Sequence, residues 1–532
     1  MPPSPPLPRR AFLQQLGAAA SLTLPGWSMA QPQRSAAIIN PDSARPQMPS
    51  GVMSGDTSAT QATIWSRSDR PARMLVDVAN NASFNNARQF AGALALPSND
   101  YSSRLDVSGL KPGETTYYRV RYQDLQNPAA YSETLSGSLQ VPGGGRDIRF
   151  AFSGDEAGQG WGINPAFGGY RMYETMRRFK PDFFIHSGDQ IYADGVLKES
   201  VTLDDGSIWN NLVTPGKAKV AQTLDDFRAN FAYNLLDQNK RRFAAEVPFL
   251  VQWDDHEVRN NWFPGQSFGA KETRYQERSL DVLAQRARRA MFEYNPFRID
   301  PLDPQRIYRM FNYGPLLEVF MLDQRSYRAP NSANRQSSLD ADAAFLGQQQ
   351  LAWLKQSLLR SRSTWKVIAS DMPLSIVVDD ANPDVTPGGY EASANAENGK
   401  PLGRELELAS LLSFIKQHKI RNVVWVTADV HYAQATFYAP EQAAFTDFTP
   451  FWEFVAGPLN AGTFGPNQTD HTFGPQVRFC SVEPGMKQNR PPTEGRQYFG
   501  LGKIDATSRV LTMALHDIEG KLLYQVDIAP QV

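Results

Sequence analysis

Hydrophobic and polar positions change rhythm once along this chain. Between residues 50 and about 142 the apolar runs are short and broken by turn residues. Examples are Ala62-Thr63-Ile64-Trp65 and Met74-Leu75-Val76-Asp77-Val78. That spacing predicts an all-β region. Val141-Pro142-Gly143-Gly144-Gly145 then reads as a linker. Beyond it, strand-like runs alternate with amphipathic stretches. Met172, Tyr173, Met176 and Phe179 share one helical face, which predicts a helix over 169–179. Further helices are expected over 345–359 and 405–416. Strands are expected at 148–152, 182–186, 249–253, 316–322, 365–369, 422–427, 510–515 and 521–526. Such alternation predicts an α/β layered domain.

The all-β region has a signature of its own. The run from Leu110 to Val120, with Pro112-Gly113 and Tyr117-Tyr118, resembles a fibronectin-type sandwich. There it would form a turn and a late strand with a tyrosine corner, and Trp65 would be a core residue. The chain therefore divides into an N-terminal segment 1–30, a β-sandwich over 36–142 and an α/β domain over 146–532.

Chemistry enters where the strands end. Ser153-Gly154-Asp155 follows the first strand of the α/β region, and Ser187-Gly188-Asp189-Gln190-Ile191-Tyr192 follows the second. Asp254-Asp255-His256-Glu257, Ser370-Asp371-Met372-Pro373 and Ala428-Asp429-Val430-His431 follow three more. Ligands of α/β sheets sit beyond the carboxyl ends of the strands, so five acid-bearing ends converge on one crevice. A lone Asp there usually caps a helix or makes a turn. Five gathered carboxylates would protonate unless cations compensate them, and metal ions are the simplest compensation.

Composition narrows the field. With 54 Lys+Arg against 55 Asp+Glu, the net charge is -1, so no specific nucleic-acid partner is indicated. Hydrophobic residues make up 41%, enough to bury a core. Cys480 is the single cysteine, which excludes an internal disulfide. Only six histidines are present, which keeps any imidazole-based metal site small.

The motif series Asp155, Gly188-Asp189-Gln190-Ile191-Tyr192, Asp255-His256-Glu257 and Asp429-Val430-His431 resembles that of calcineurin-like metallophosphoesterases. Trp253-Asp254-Asp255-His256-Glu257, followed by Asn260-Asn261-Trp262, is similar to the PhoD-like (D-type) alkaline phosphatase branch. This resemblance implies a β-sandwich flanked by helices, preceded by an all-β fibronectin/Ig-like domain. It implies a metal-dependent phosphoric ester hydrolase, either phosphomonoesterase or phosphodiesterase, with two or more metal ions. By resemblance Asp155, Asp189, Tyr192 and His431 surround the first ion, with Asp189 bridging to the second. That set suits Fe(III). Asp255, Asp371 and Asp429 stand where the wider family has Asn and His. Oxygen-only ligation favours Ca²⁺, or Mg²⁺/Mn²⁺, over Zn²⁺. Relatives place a cysteine on the iron; none lies near the first motif here, and Asp155 takes that role.

Phosphoester chemistry assigns the remaining roles. A metal-borne hydroxide would attack phosphorus in line, with His256 facing the phosphate or protonating the leaving group. Asp254 would hold His256 if that histidine were structural. Asn260, Asn261 and Arg325 are candidate phosphate contacts, Arg325 having a buried ion pair as its alternative. His186, inside an apolar strand, reads as a packed core histidine.

The N-terminus adds an address. Arg9-Arg10-Ala11-Phe12-Leu13, a short apolar stretch and Ser28-Met29-Ala30 resemble a twin-arginine signal peptide. The expected product is periplasmic or secreted, meets the export machinery transiently and has no transmembrane segment. Two alternatives use the same fold: a phospholipase D-like phosphodiesterase on lipids, and a non-catalytic binding protein.

Overall fold

A computed structural model describes residues 41–141, 143, 145–380 and 388–531. The signal-like segment 1–30 lies outside the described residues. Among those described, no helix is long and apolar enough to cross a membrane.

Two sheets pack face to face. The first has nine strands and the second seven. In the first, Ile148–Ser153, Phe183–His186 and Phe249–Val251 run parallel. In the second, Leu317–Met321, Trp365–Ala369, Val423–Thr427 and Phe451–Val455 run parallel. Every residue of these strands but Arg149 and Trp452 is buried. Near-continuous apolar runs are what a sheet covered on both faces requires. The inner core joins Phe150, Phe152 and Ile185 of one sheet to Val319, Val367, Val426 and Phe454 of the other.

Helices cover both outer faces. Arg171–Arg178, Leu224–Asn234, Gln238–Glu246 and Leu280–Tyr294 pack outside the first sheet. Gln348–Arg360 and Glu405–Gln417 pack outside the second. The fold is the expected mixed α/β sandwich with an all-β N-terminal region.

The N-terminal region builds its own core from Ile64, Met74, Val76, Tyr118, Val120 and Tyr122. Its four-stranded sheet runs in the order Arg88–Ala95, Ala72–Ala79, Thr115–Asp124, Leu135–Gln140. Its other three strands extend the nine-stranded catalytic sheet, where Gly55 pairs with Phe249. Two expectations are corrected here. Trp65 does not sit in the sandwich core: it packs on Tyr294 and its Nε1–H donates to the Glu293 carbonyl at 2.7 Å. Tyr118 makes no tyrosine corner, because its hydroxyl donates to the Ala245 carbonyl at 3.1 Å. Both aromatics weld the N-terminal region to the catalytic helices.

Candidate metal centre

All the parallel strands of both sheets end at one edge, and the loops that leave them build a cleft. Asp155 and Asp189 leave the first sheet, and so do Asp255 and His256; Asp429 and His431 leave the second. The loops turn abruptly. Asp155, Asp189, Asn261, Asp429 and His431 all hold left-handed backbone, with φ from 51° to 67°. Non-glycine residues adopt this conformation rarely and at a cost, so their clustering marks a functional edge. Glycine is needed alongside: a Cβ at Gly457 would overlap the Asp155 carboxylate, and one at Gly158 would overlap the Tyr192 ring.

Two ligand-like groups form, with donor atoms within 4.8 Å of one another. Asp155, Asp189 and His431 make the first; Asp189, Asp255 and His256 make the second. Asp189 is common to both. Tyr192 joins the first group through a 2.8 Å hydrogen bond between its hydroxyl and His431 Nε2. His431 Nδ1–H donates to the Gly462 carbonyl at 2.6 Å, which leaves Nε2 with its lone pair. A second-sphere bond of this kind fixes the tautomer that ligates metal. Burial lowers His431 to about 4, so the ring is neutral near pH 7.

The carboxylates are poorly compensated by the protein. Burial first, then neighbours such as Asp254 and Asp255, raises Asp155 and Asp189 well above the usual range. Asp429 is raised well above it too, by burial and then Asp254. Asp255 is raised to about 6, chiefly by burial. Burial and Asp189 push the Tyr192 phenol well above its ordinary value. Among the described residues Asp155 Oδ2 has no hydrogen-bond partner. An orphaned buried oxygen, a neutral imidazole whose Nε2 meets only the Tyr192 hydroxyl, and an oxygen-rich donor set all fit hard cations.

His256 is held differently. Its Nδ1 lies 2.7 Å from Asp194 Oδ1, not on Asp254, and its ring stacks 4.2 Å from Tyr192. Burial lowers the imidazole, but Asp194 and Asp255 outweigh burial and hold it at about 9. Its Nε2 lies 4.0 Å from Asp255 Oδ1.

The cleft encloses about 250 Å³. Asp189, Asp255, His256, Asp429 and His431 line it, with Asn260 and Asn261 beside them. Gln159, Val378, Phe464, Asn467 and Gln488 complete its walls. No lysine or arginine is among these residues.

A scan against family models matches residues 150–515 to the PhoD-like phosphatase family and residues 32–136 to that family's N-terminal domain. The chain belongs to the PhoD-like phosphatases. As a member of that family it is a phosphoric ester hydrolase. It is 29% identical to alkaline phosphatase D of Bacillus subtilis (strain 168) over 456 residues, which are 80% of this chain and 72% of that protein. The solved structure of PhoD has the same fold: TM-score 0.66, 20% identity, 93% of this chain and 94% of the other. The purple acid phosphatase PPD1 from yellow lupin seeds also shares it: TM-score 0.55, 12% identity, 91% of this chain and 74% of the other.

In this PhoD-like phosphatase, two residues chosen from the sequence stand apart from the cleft. Arg325 is fully buried. It reaches Asp254 and Glu391, its Nε lying 2.6 Å from Asp254 Oδ1. With its charge consumed there, it is not on the cleft surface as a phosphate contact. Asp371 is also fully buried, 3.5 Å from Arg325; like Asp429 it joins neither ligand group. Asn261 lines the cleft, yet its side-chain amide donates to Asp380 at 3.2 Å. Asn260 sits exposed on the rim. His186 is fully buried beside Glu156 at 3.5 Å, as a core histidine should be. Cys480 closes the edge strand Pro475–Cys480 and lines no part of the cleft.

Several residues were not chosen. Asp194, two positions after Tyr192, positions both His256 and the Asn260 backbone. Glu257 accepts backbone N–H bonds from Asp189, Gln190 and Asp254, so it ties two motifs together. Glu391 anchors Arg325 and Arg328 from the long loop after residue 388.

Proposed function

We propose that the chain is an exported, cation-dependent hydrolase that favours phosphodiesters over phosphomonoesters. The observation that carries this is the cleft lining: carboxylates at the floor, carboxamides on the walls and, among the described residues, no lysine or arginine. A monoester carries up to two negative charges and wants a guanidinium clamp. A diester carries one, and a cleft wall without lysine or arginine suits it, with the Gln159 side chain on that wall.

Asp155, Tyr192 and His431 would hold one cation, Fe(III) by donor type. Asp255 and Asp429 would hold the other, Ca²⁺ by its oxygen-only set, with Asp189 shared. Cations bound there supply Lewis-acid polarisation of the phosphoryl group, an activated water and neutralisation of transition-state charge. The protein's own groups do the rest. Asp194 fixes the His256 ring and keeps its proton available for the leaving oxygen. Asn260 offers an amide to a phosphoryl oxygen at the rim. Phe464 and Val378 give the organic group an apolar wall. Asp371, buried with neither carboxylate oxygen hydrogen-bonded among the described residues, would stand behind the cation ligands as a further oxygen donor. Residues 1–30 direct export by the twin-arginine route, and the chain divides near residues 142–146 into two domains.

The test is hydrolysis of bis(p-nitrophenyl) phosphate against p-nitrophenyl phosphate, with and without chelator. A higher kcat/KM for the diester, lost on chelation and restored by metal, supports the proposal. Chelator-resistant turnover overturns the cation dependence, and a monoester preference overturns the substrate class.

A further inference from the structure

The opposite edge of the second sheet carries a second concavity that hydrolysis does not use. It encloses about 660 Å³ where the strands Trp365–Ala369 and Val423–Thr427 begin, while the catalytic cleft lies where they end. Five residues at about 3.3 Å each put roughly 17 Å of strand between the two.

The lining is strongly one-signed. Arg362, Lys419, Arg421 and Arg509 all reach it, all are exposed, and among the described residues no aspartate or glutamate side chain lines it. Among the described residues none of the four is in an ion pair. Asp505, the nearest acid along the chain, is occupied in capping the turn through Ser508 N and Ser508 Oγ at 2.7 and 2.9 Å. A chain whose charges balance overall has gathered unpaired cations in one groove. The Ser361 hydroxyl stands among them, while the hydroxyls of Thr364 and Ser508 donate to the Pro315 carbonyl and Asp505, and the Asn422 amide donates to the Gln531 carbonyl.

The backbone adds an independent observation. Lys419, Asn422 and Arg509 hold left-handed φ of 53°, 60° and 61°. Lys419 occupies the position past a helix C-terminus that glycine usually takes. Helix ends favour cations, and Arg360 and Lys416 already serve the last turns of their helices. Arg362, Arg421 and Arg509 lie beyond those turns. The Arg509 carbonyl accepts from Trp365 Nε1 at 2.7 Å, which fixes that turn at the groove wall.

We propose that this groove binds the phosphate groups of a soluble linear polyanion, holding it on the edge opposite the catalytic cleft. Concavity favours a chain over a membrane plane. Three unpaired guanidinium forks and an ammonium favour phosphate oxyanions. Its value as a tether for polymeric phosphodiester substrates rests on the function proposed above; the binding itself does not.

The experiment uses the full chain with inorganic polyphosphate as the probe, titrated by calorimetry across a salt series. The comparison is with Arg362→Ala/Arg421→Ala/Arg509→Ala. The proposal expects the triple variant to bind at least about tenfold more weakly and the slope of log K against log salt to fall by roughly two. Thermal midpoint and turnover of bis(p-nitrophenyl) phosphate should be unchanged. Equal binding by both proteins overturns it, as does binding to phosphatidylglycerol vesicles without binding to the polymer. If the triple variant unfolds early, Arg421→Glu alone, which should weaken polyphosphate binding in the same direction, decides the matter. Normal turnover with no polyphosphate binding defeats the groove alone, whereas binding without turnover defeats only the hydrolase reading.

Discussion

The two halves of the carboxylate cluster are compensated by different means. Around Asp155 and Asp189 the protein offers the neutral His431, the Tyr192 phenol and the His256 imidazolium, but no lysine or arginine ion pair among the described residues. Around Asp254 and Asp371 it offers Arg325, and behind that Glu391, Arg328 and Arg404, all buried. Asp254 is accordingly held below its ordinary value: burial raises it, but Arg325 outweighs burial. Asp155 and Asp189, with no such partner, are pushed up. Arg325 completes Asp254 alone: Asp371, 3.5 Å from that guanidinium, is still pushed well up by burial and then Asp254, and neither of its oxygens has a hydrogen-bond partner among the described residues, so it shares the incompleteness of Asp155 and Asp189.

Asp189→Ala breaks the contrast most sharply, since that carboxylate belongs to both ligand groups. Its kcat/KM should fall by about a thousandfold or more, on the scale of losing a main electrostatic element. The circular dichroism spectrum should be retained. Wild-type turnover would contradict the assignment.

Arg325→Leu attacks the other half, and its signature should be instability. It leaves Asp254 buried without its cation, while Glu391 keeps Arg328, and costs about 3–5 kcal/mol. Urea unfolding measures this. A variant of normal stability with raised KM would instead restore Arg325 to the cleft.

Asp194→Asn sharpens the role of His256. Asp194 is the leading group that raises this imidazole against burial, to about 9. Without that charge the pKa falls and the protonated acid is lost at lower pH. The alkaline limb of the kcat profile should therefore move down. An unmoved limb would remove His256 as the proton donor.

The smallest effect belongs to Asn260→Ala on the rim. It should raise KM by about threefold to tenfold and leave kcat nearly unchanged, as loss of one neutral hydrogen bond does.

Much of this contrast was legible in the sequence, and what was hidden is instructive. Asp155, Asp189, Asp255 and Asp429 follow recognisable strands, so topology alone sends them to one edge. The buried ion pair of Arg325 was one of its two readings, but its partners Asp254 and Glu391 were not legible, because an Asp after a strand looks the same whether it faces a cleft or an arginine. Gln159, Phe464, Asn467 and Gln488 come from loops without periodicity. The helix Leu224–Asn234 escaped because its buried face carries Asp226, Arg228, Asn230 and Asn234, which interrupt the apolar stripe. The helix Leu280–Tyr294 had a readable stripe in Leu280, Leu283, Ala284, Ala287 and Met291. The N-terminal region revealed its strands by alternation. Its continuity with the catalytic sheet depends on the pairing of Gly55 with Phe249, a contact across nearly two hundred residues that no local pattern encodes.

Elemental analysis of the protein purified without added metal tests the central claim most directly. The account predicts near-stoichiometric iron with calcium, and loss of both activity and metal in Asp189→Ala. Folded, active protein containing no metal would contradict it.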